Sequence, residues 1–321
     1  MYKLTHIVRN LGWRRIVFSL VVLAYVGFLG FINALMFLPA VGLVPDNVLS
    51  AMGHFGSFID TGETHDLIHE FVFAFIVGTA AVGLLSQLWK PEESASWRIA
   101  GQLVALVTWG VLILMAAITN SWAPQPLFII FGGLTLLATI LHPAGRGLFS
   151  WFRGAKVNRA LLGLVIIAAV PLLSLAATNI NLQRAGMNVP QNETGEFFNL
   201  FGHKIPKHSG GEDGSIPSAD PTIVVMNDEA VHDQKHSALG HYRNLAALSI
   251  IIVLVGTLAS LRPSGWRLAA WVAGFLPIAL GLASAILPAA ESSLGVIWGL
   301  AAIAWGITFI AAAEFTVNRA G

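Results

Sequence analysis

His65 and His69 stand four residues apart in the segment Thr64-His-Asp-Leu-Ile-His-Glu70. On a helix that spacing puts both imidazoles on one face, within reach of a single ion. A second group, Val231-His-Asp-Gln-Lys-His-Ser-Ala-Leu-Gly-His-Tyr-Arg243, repeats the spacing with His232 and His236 and adds His241 five residues further on. Glu63, Asp66, Glu70 and Asp233 supply hard oxygens. These would serve as ligands themselves or as acceptors for a ligand histidine's second ring nitrogen. Imidazole combined with carboxylate suits a divalent metal, Zn or Fe before Cu. The pattern is not the H-E-x-x-H of zinc proteases, because Asp66 follows His65 and Glu70 follows His69. Haem is disfavoured, since no histidine lies deep in the apolar runs behind either cluster. The competing reading is a polar fringe at a membrane surface that binds nothing.

Composition narrows the chemistry further. The chain has 321 residues, no cysteine, 55% hydrophobic and only 11% charged residues, and a mean hydropathy of +0.72. Soluble domains carry about 25% charged residues, so this is a membrane protein. Without cysteine there are no disulfides, thiolate metal sites or thiol nucleophiles. The net charge of +1 and the lack of a basic tract argue against nucleic acid as a partner. Neither a P-loop nor a dinucleotide fingerprint is present, which removes nucleotide chemistry. The partner that composition does imply is the lipid bilayer.

The elements that must position the histidines are apolar runs long enough to cross the hydrocarbon layer as helices. Eight are expected, near 14–40, 67–89, 97–119, 125–142, 158–178, 241–261, 266–287 and 293–314. The basic N-terminal stretch leads into a run too long for a signal peptide, so it reads as a retained first helix. Lys and Arg near the span ends set the orientation. Lys3, Arg9, Arg14, Arg15, Lys90, Arg98, Arg146, Arg153, Lys156, Arg159, Arg262, Arg267 and Arg319 fall on one side. Both termini are therefore expected in the cytoplasm of a cell whose plasma membrane holds the chain, with both histidine clusters on the extracytoplasmic face. His142, before Pro143, reads as a cytoplasmic helix end.

The second half echoes the first. Trp97-Arg98-Ile-Ala opens the third span and Trp266-Arg267-Leu-Ala the seventh; Val82-Gly83 and Val255-Gly256 sit alike in the second and sixth. The pattern predicts an all-α bundle of two parallel four-helix repeats, 1–157 and 158–321, related by an axis along the membrane normal. The first repeat carries an extracytoplasmic loop at 41–66 and the second an insert at 179–240. In this alignment the second and sixth spans both open on a histidine cluster, and Glu70 falls opposite Arg243. An interhelix pair between them is expected.

The insert is expected to cover the mouths of the second and sixth spans and to offer a docking surface for a protein partner. Its 195–206 stretch has aromatics at helical spacing and reads as a surface helix, and Thr222–Met226 as a short strand. Pro171 and Pro277 are expected to interrupt their helices. Three functions fit these residues. The first is a metal-binding membrane protein, hydrolytic or redox, with its site at the outer face. The second is a transporter built from the parallel repeat. The third is a non-enzymatic subunit or assembly factor of a membrane complex.

Overall fold

The computed structural model describes residues 13–40, 66–88, 95–122, 127–142, 156–187, 197–198, 204–205, 240–263, 265–288, 290 and 292–318. Eight helices occur among them. They are α1 (Trp13–Ala40), α2 (Asp66–Leu85), α3 (Ala95–Thr119), α4, α5 (Arg159–Met187), α6 (His241–Ser260), α7 (Trp266–Ile286) and α8 (Gly295–Asn318). Helix α4 begins as a π-helical turn, Phe128–Gly132, and continues as α-helix over Gly133–Leu141. Six of the eight are long and apolar enough to cross a membrane, and Phe71–Leu85 and Phe128–Leu141 form shorter apolar stretches. The chain is a multi-pass helical membrane bundle.

Burial sorts the helices into two classes. Within the most apolar window, 78% of the residues are buried in α6 but only 17% in α5. Helices α3 and α7 resemble α6, while α1 and α8 resemble α5. The outer helices face away from the protein with residues such as Leu20, Ile166, Ile167, Val170, Ile297 and Trp298. In a bilayer such side chains meet lipid, which is as apolar as they are.

Helix contacts follow one scheme in each half. Helix α1 packs on α2 and on α4, α2 on α3, and α3 on α4; correspondingly α5 packs on α6 and on α8, α6 on α7, and α7 on α8. Between halves, α6 packs on α3 and α2, and α7 packs on α2 and α3. Helix α3 also touches α5.

Small residues set the closest approaches, as they do where helices associate in lipid. A Cβ on Gly83 of α2 would lie 2.6 Å from the carbonyl oxygen of Gly101 in α3. Between α7 and α8 the pairs Gly274–Gly306 and Gly281–Gly299 play the same part; a Cβ on Gly299 would lie 2.8 Å from the Gly281 oxygen. The Gly83–Gly101 contact joins the end of α2 to the start of α3. It therefore places the start of α2 beside the end of α3.

That end of the bundle also receives the start of α6, through Arg243 and Ser121. Helices α2 and α6 thus run in the same direction and touch. Their starts lie at the end from which residues 41–65 and 188–239 depart, here called the long-loop end. The opposite, termini end holds the start of α1, close to His142 through Phe18, and the end of α8. There Glu314 accepts from Trp271 Nε1 at 3.0 Å and pairs with Arg267 at 3.2 Å.

Three expectations change. Helix α5 does not stop at 178 but runs to Met187, so the insert begins at 188 rather than 179. Polar residues there are held by the bundle instead of opening a loop: Asn179 donates back to the Leu175 carbonyl of its own helix, Arg184 donates to the Ile118 carbonyl of α3, and Gln183 accepts from the Arg243 N–H of α6. Within the 195–206 stretch, the described residues form two short strands and not a surface helix. Phe197–Phe198 pairs antiparallel with Lys204–Ile205, since aromatic and β-branched side chains fit a strand as well as a helix face. Pro171 and Pro277 do not end their helices; both lie inside continuous helices, Pro277 buried among neighbours and Pro171 on the exposed face of α5. The strand expected at 222–226 lies outside the described residues.

A candidate site at the long-loop end

The expected site residues fall mostly where the structure is not described. Glu63, His65, His232, Asp233 and His236 lie outside the described residues. Asp66, His69 and Glu70 occupy the first turns of α2, but their side chains are outside the described set. His241 opens α6 and is half-buried, and Arg243 follows in the same turn. Among the described residues, no group of three or more His, Asp or Glu could hold a metal ion. The packing of α2 on α6 does bring helices bearing His69 and His241 at their first turns side by side.

The chemistry visible at this end centres on Arg243. Its side chain is fully buried, at 0% exposure. One terminal nitrogen donates to the Ser121 carbonyl at 2.6 Å, just past the end of α3. Nε and the other terminal nitrogen both donate to Asn244 Oδ1, at 3.1 and 2.8 Å. The guanidinium lies 4.8 Å from the centre of the Phe128 ring, at the π-helical start of α4. The Arg243 backbone N–H, one of the four that a helix start leaves without an internal acceptor, donates to Gln183 Oε1 of α5 at 3.0 Å. Four helices, α3 to α6, therefore meet at one residue.

The energetics are mixed. Withdrawing an ion from water costs several kcal/mol even after relaxation. The end of α3 repays part, since its carbonyls carry about half a negative charge. The ring face of Phe128 contributes about 0.5–2 kcal/mol. Against this, Arg243 sits in the first turn of α6, the end where a helix dipole disfavours a cation. Among the described residues every acceptor of the guanidinium is neutral. The expected Glu70 partner has its side chain outside the described set.

Irregular backbone clusters at the same place. Asn120 (φ 52) precedes Ser121, and Gly240 (φ 74) precedes α6. Both adopt the left-handed conformation that asparagine and glycine best tolerate. A Cβ on Gly240 would lie 2.6 Å from the guanidinium carbon, so only glycine leaves Arg243 its place. Ser121 Oγ is buried and has no hydrogen-bond partner.

A second polar cluster lies toward the termini end, inside α2, α3 and α4. Gln87 donates to Gln102 Oε1 at 2.9 Å and to the Gly83 carbonyl at 3.2 Å. Gln102 Nε2 donates to Thr139 Oγ1 at 2.7 Å, and Thr139 to the Thr135 carbonyl at 2.8 Å. Gln87 Oε1 and Thr135 Oγ1 stay unpartnered. His142 is a helix end, as expected, yet fully buried.

Sequence reasoning named Arg243 but missed its burial, and missed Ser121, Gln183 and Asn244 altogether. A signal was present. Asn120-Ser121, Gln183-Arg184 and Arg243-Asn244 are polar doublets at the ends of three spans that share one side of the membrane. No family model, no curated protein and no solved structure matches the chain.

Proposed function

We propose that the chain is a membrane carrier built from two parallel four-helix units, 1–157 and 158–321, with all eight helices crossing the bilayer and the ligand site at the long-loop end where the units meet. The observation that carries this reading is the contact scheme: each pairing among α1 to α4 recurs among α5 to α8, and α2, α3, α6 and α7 form a buried centre with contacts across the halves. Parallel repeats around a central axis are a recurrent carrier architecture, with the site at the repeat interface. The basic residues at the span ends put both termini in the cytoplasm of the cell and the long-loop end outside. Uptake into proteoliposomes tests it: purified chain should release or accumulate organic solutes against a protein-free control. Vesicles as tight as that control to a panel of small organic acids, amines and sugars would sink the carrier reading.

The metal reading keeps one observation in its favour, the side-by-side helices that bear His69 and His241. In it, His65, His69, His236 and His241 hold a Zn or Fe ion, with His232 in reserve and Asp66, Glu70, Asp233 or Glu63 fixing the rings. The buried Arg243 charge two residues from His241 opposes a bare dication there, so at least one carboxylate must join the set. Bound Zn, Fe and Cu should be measured in native protein and in the His65→Ala/His69→Ala variant. Metal near one equivalent in the first and absent in the second is expected; equal amounts in both would end the metal reading.

A further inference from the structure

Arg243 is held by neutral partners, and its hydrogen-bonding capacity is not used up. A guanidinium carries five N–H bonds. One on Nε, one on each terminal nitrogen are spent on Asn244 and Ser121. One N–H on each terminal nitrogen remains. The residue whose carbonyl binds Arg243 also carries a buried hydroxyl, Ser121 Oγ, which has no partner. The start of α6 adds the positive end of a helix dipole. Every one of these groups favours negative charge, and an ionisable residue enclosed in a membrane bundle is a functional site by default.

We infer that Arg243 and Ser121 form a binding site for the carboxylate of a small organic acid entering from the long-loop side. A planar carboxylate matches the two N–H bonds left on the guanidinium, and a single positive charge balances a single negative one. A phosphate or sulfate dianion would leave half its charge uncompensated. The Ser121 hydroxyl donates the third bond. The structure shows this site shut, since both side chains are closed to solvent. The segments that must part to admit a ligand are those with irregular backbone: Asn120 before Ser121, Gly240 before α6, and the π-helical turn of α4 whose Phe128 faces the guanidinium. Such turns recur at functional sites in helices. The inference names the substrate class for the carrier proposed above and rests on its long-loop-end site, yet it is read by binding alone. A chain that binds and does not transport loses only the carrier reading.

The test is thermal unfolding of the purified full chain in lipid nanodiscs. Sodium acetate, benzoate and succinate are compared with sodium chloride, sulfate and phosphate at matched ionic strength. Carboxylates should raise the midpoint saturably, and sulfate and phosphate should follow chloride. Arg243→Gln should abolish the response. Should that variant fail to fold, Ser121→Ala keeps the carbonyl that binds Arg243 and should shift half-saturation about tenfold upward, the loss of one hydrogen bond to an ion. Three results would overturn the inference. One is no carboxylate response beyond chloride in the native chain. Another is an unchanged response in Ser121→Ala together with Arg243→Gln or Arg243→Lys. The third is a response that emerges only after Glu70→Gln, which would assign the guanidinium to the chain's own carboxylate.

Discussion

Gly240 shows how one residue can decide whether a charge is accepted. Its φ of 74 places it in the left-handed region, and a Cβ there would meet the guanidinium carbon of Arg243 at 2.6 Å. Two separate penalties follow for Gly240→Ala: about 1–2 kcal/mol for the backbone and about 1–3 kcal/mol for overpacking. Gly240→Asn tolerates the backbone but not the contact, so it should recover only the first part. Unfolding midpoints of the two variants in detergent measure the split, and equal stability of both with the native chain would show that the turn is loose. Little of this was legible in the sequence. The start of the helix at His241 and the Arg243 charge were, because an apolar run begins there after a polar insert. The burial of Arg243 was not, because it arises from Ser121, Gln183 and Phe128, which stand 122, 60 and 115 positions away from it in the chain.

At the scale of elements, the helices themselves were plain. Long apolar runs bounded by polar and basic residues locate all eight helices to within a few positions, except at the far end of α5. There Asn179, Gln183 and Arg184 looked like the start of a loop, yet Asn179 bonds back to Leu175 within α5, and Gln183 and Arg184 bind Arg243 of α6 and Ile118 of α3. Polar composition cannot tell a residue that seeks water from one that seeks a neighbouring helix. The Gln87–Gln102 bond shows the same ambiguity inside the bundle. Removing Gln87 leaves the buried Gln102 Oε1 without its donor, and removing Gln102 leaves Gln87 Nε2 only the Gly83 carbonyl, while removing both takes away that mismatch. Gln87→Leu and Gln102→Leu should each destabilise, and the double variant should be less harmed than their sum. A coupling of about 0.6–1.7 kcal/mol is expected for a hydrogen bond between membrane helices. Strict additivity would show that the Gln87–Gln102 bond adds nothing to the joining of α2 and α3.

For the whole molecule, the sequence predicts a sidedness that packing leaves open. The bundle has a long-loop end and a termini end, and the Lys and Arg bias assigns the first to the outside. Because the chain has no cysteine, single cysteines at Ser209 and Gly147 report their own exposure. An impermeant thiol reagent applied to intact cells should label the first and spare the second; the reverse result would place both histidine clusters in the cytoplasm. The cross-half contacts of α2, α3, α6 and α7 carry a second expectation. Halves 1–157 and 158–321 expressed together should purify as a complex, and independent elution of the two would remove the buried centre on which the two-unit reading depends.

Helix α5 carries one more consequence, in the matter of bilayer thickness. Its 29 residues extend about 43 Å at 1.5 Å per residue, against a hydrocarbon layer of about 30 Å. Helix α6, with 20 residues, spans about 30 Å and matches that layer without surplus. The two are fastened at the long-loop end through Gln183 and at the opposite end through the bond from Asn158 N–H to the Ser260 carbonyl. A pair of unequal lengths tied at both ends cannot be relieved by sliding. The longer helix must lean across the shorter one, or carry its last turns beyond the fastening. A thicker membrane draws those turns back into hydrocarbon and pulls on the Gln183 tie; a thinner one releases it. Lipid chain length is thereby expected to act on the Gln183 tie through hydrophobic mismatch, and unfolding midpoints of the chain in nanodiscs of short-chain and long-chain lipid would measure the effect.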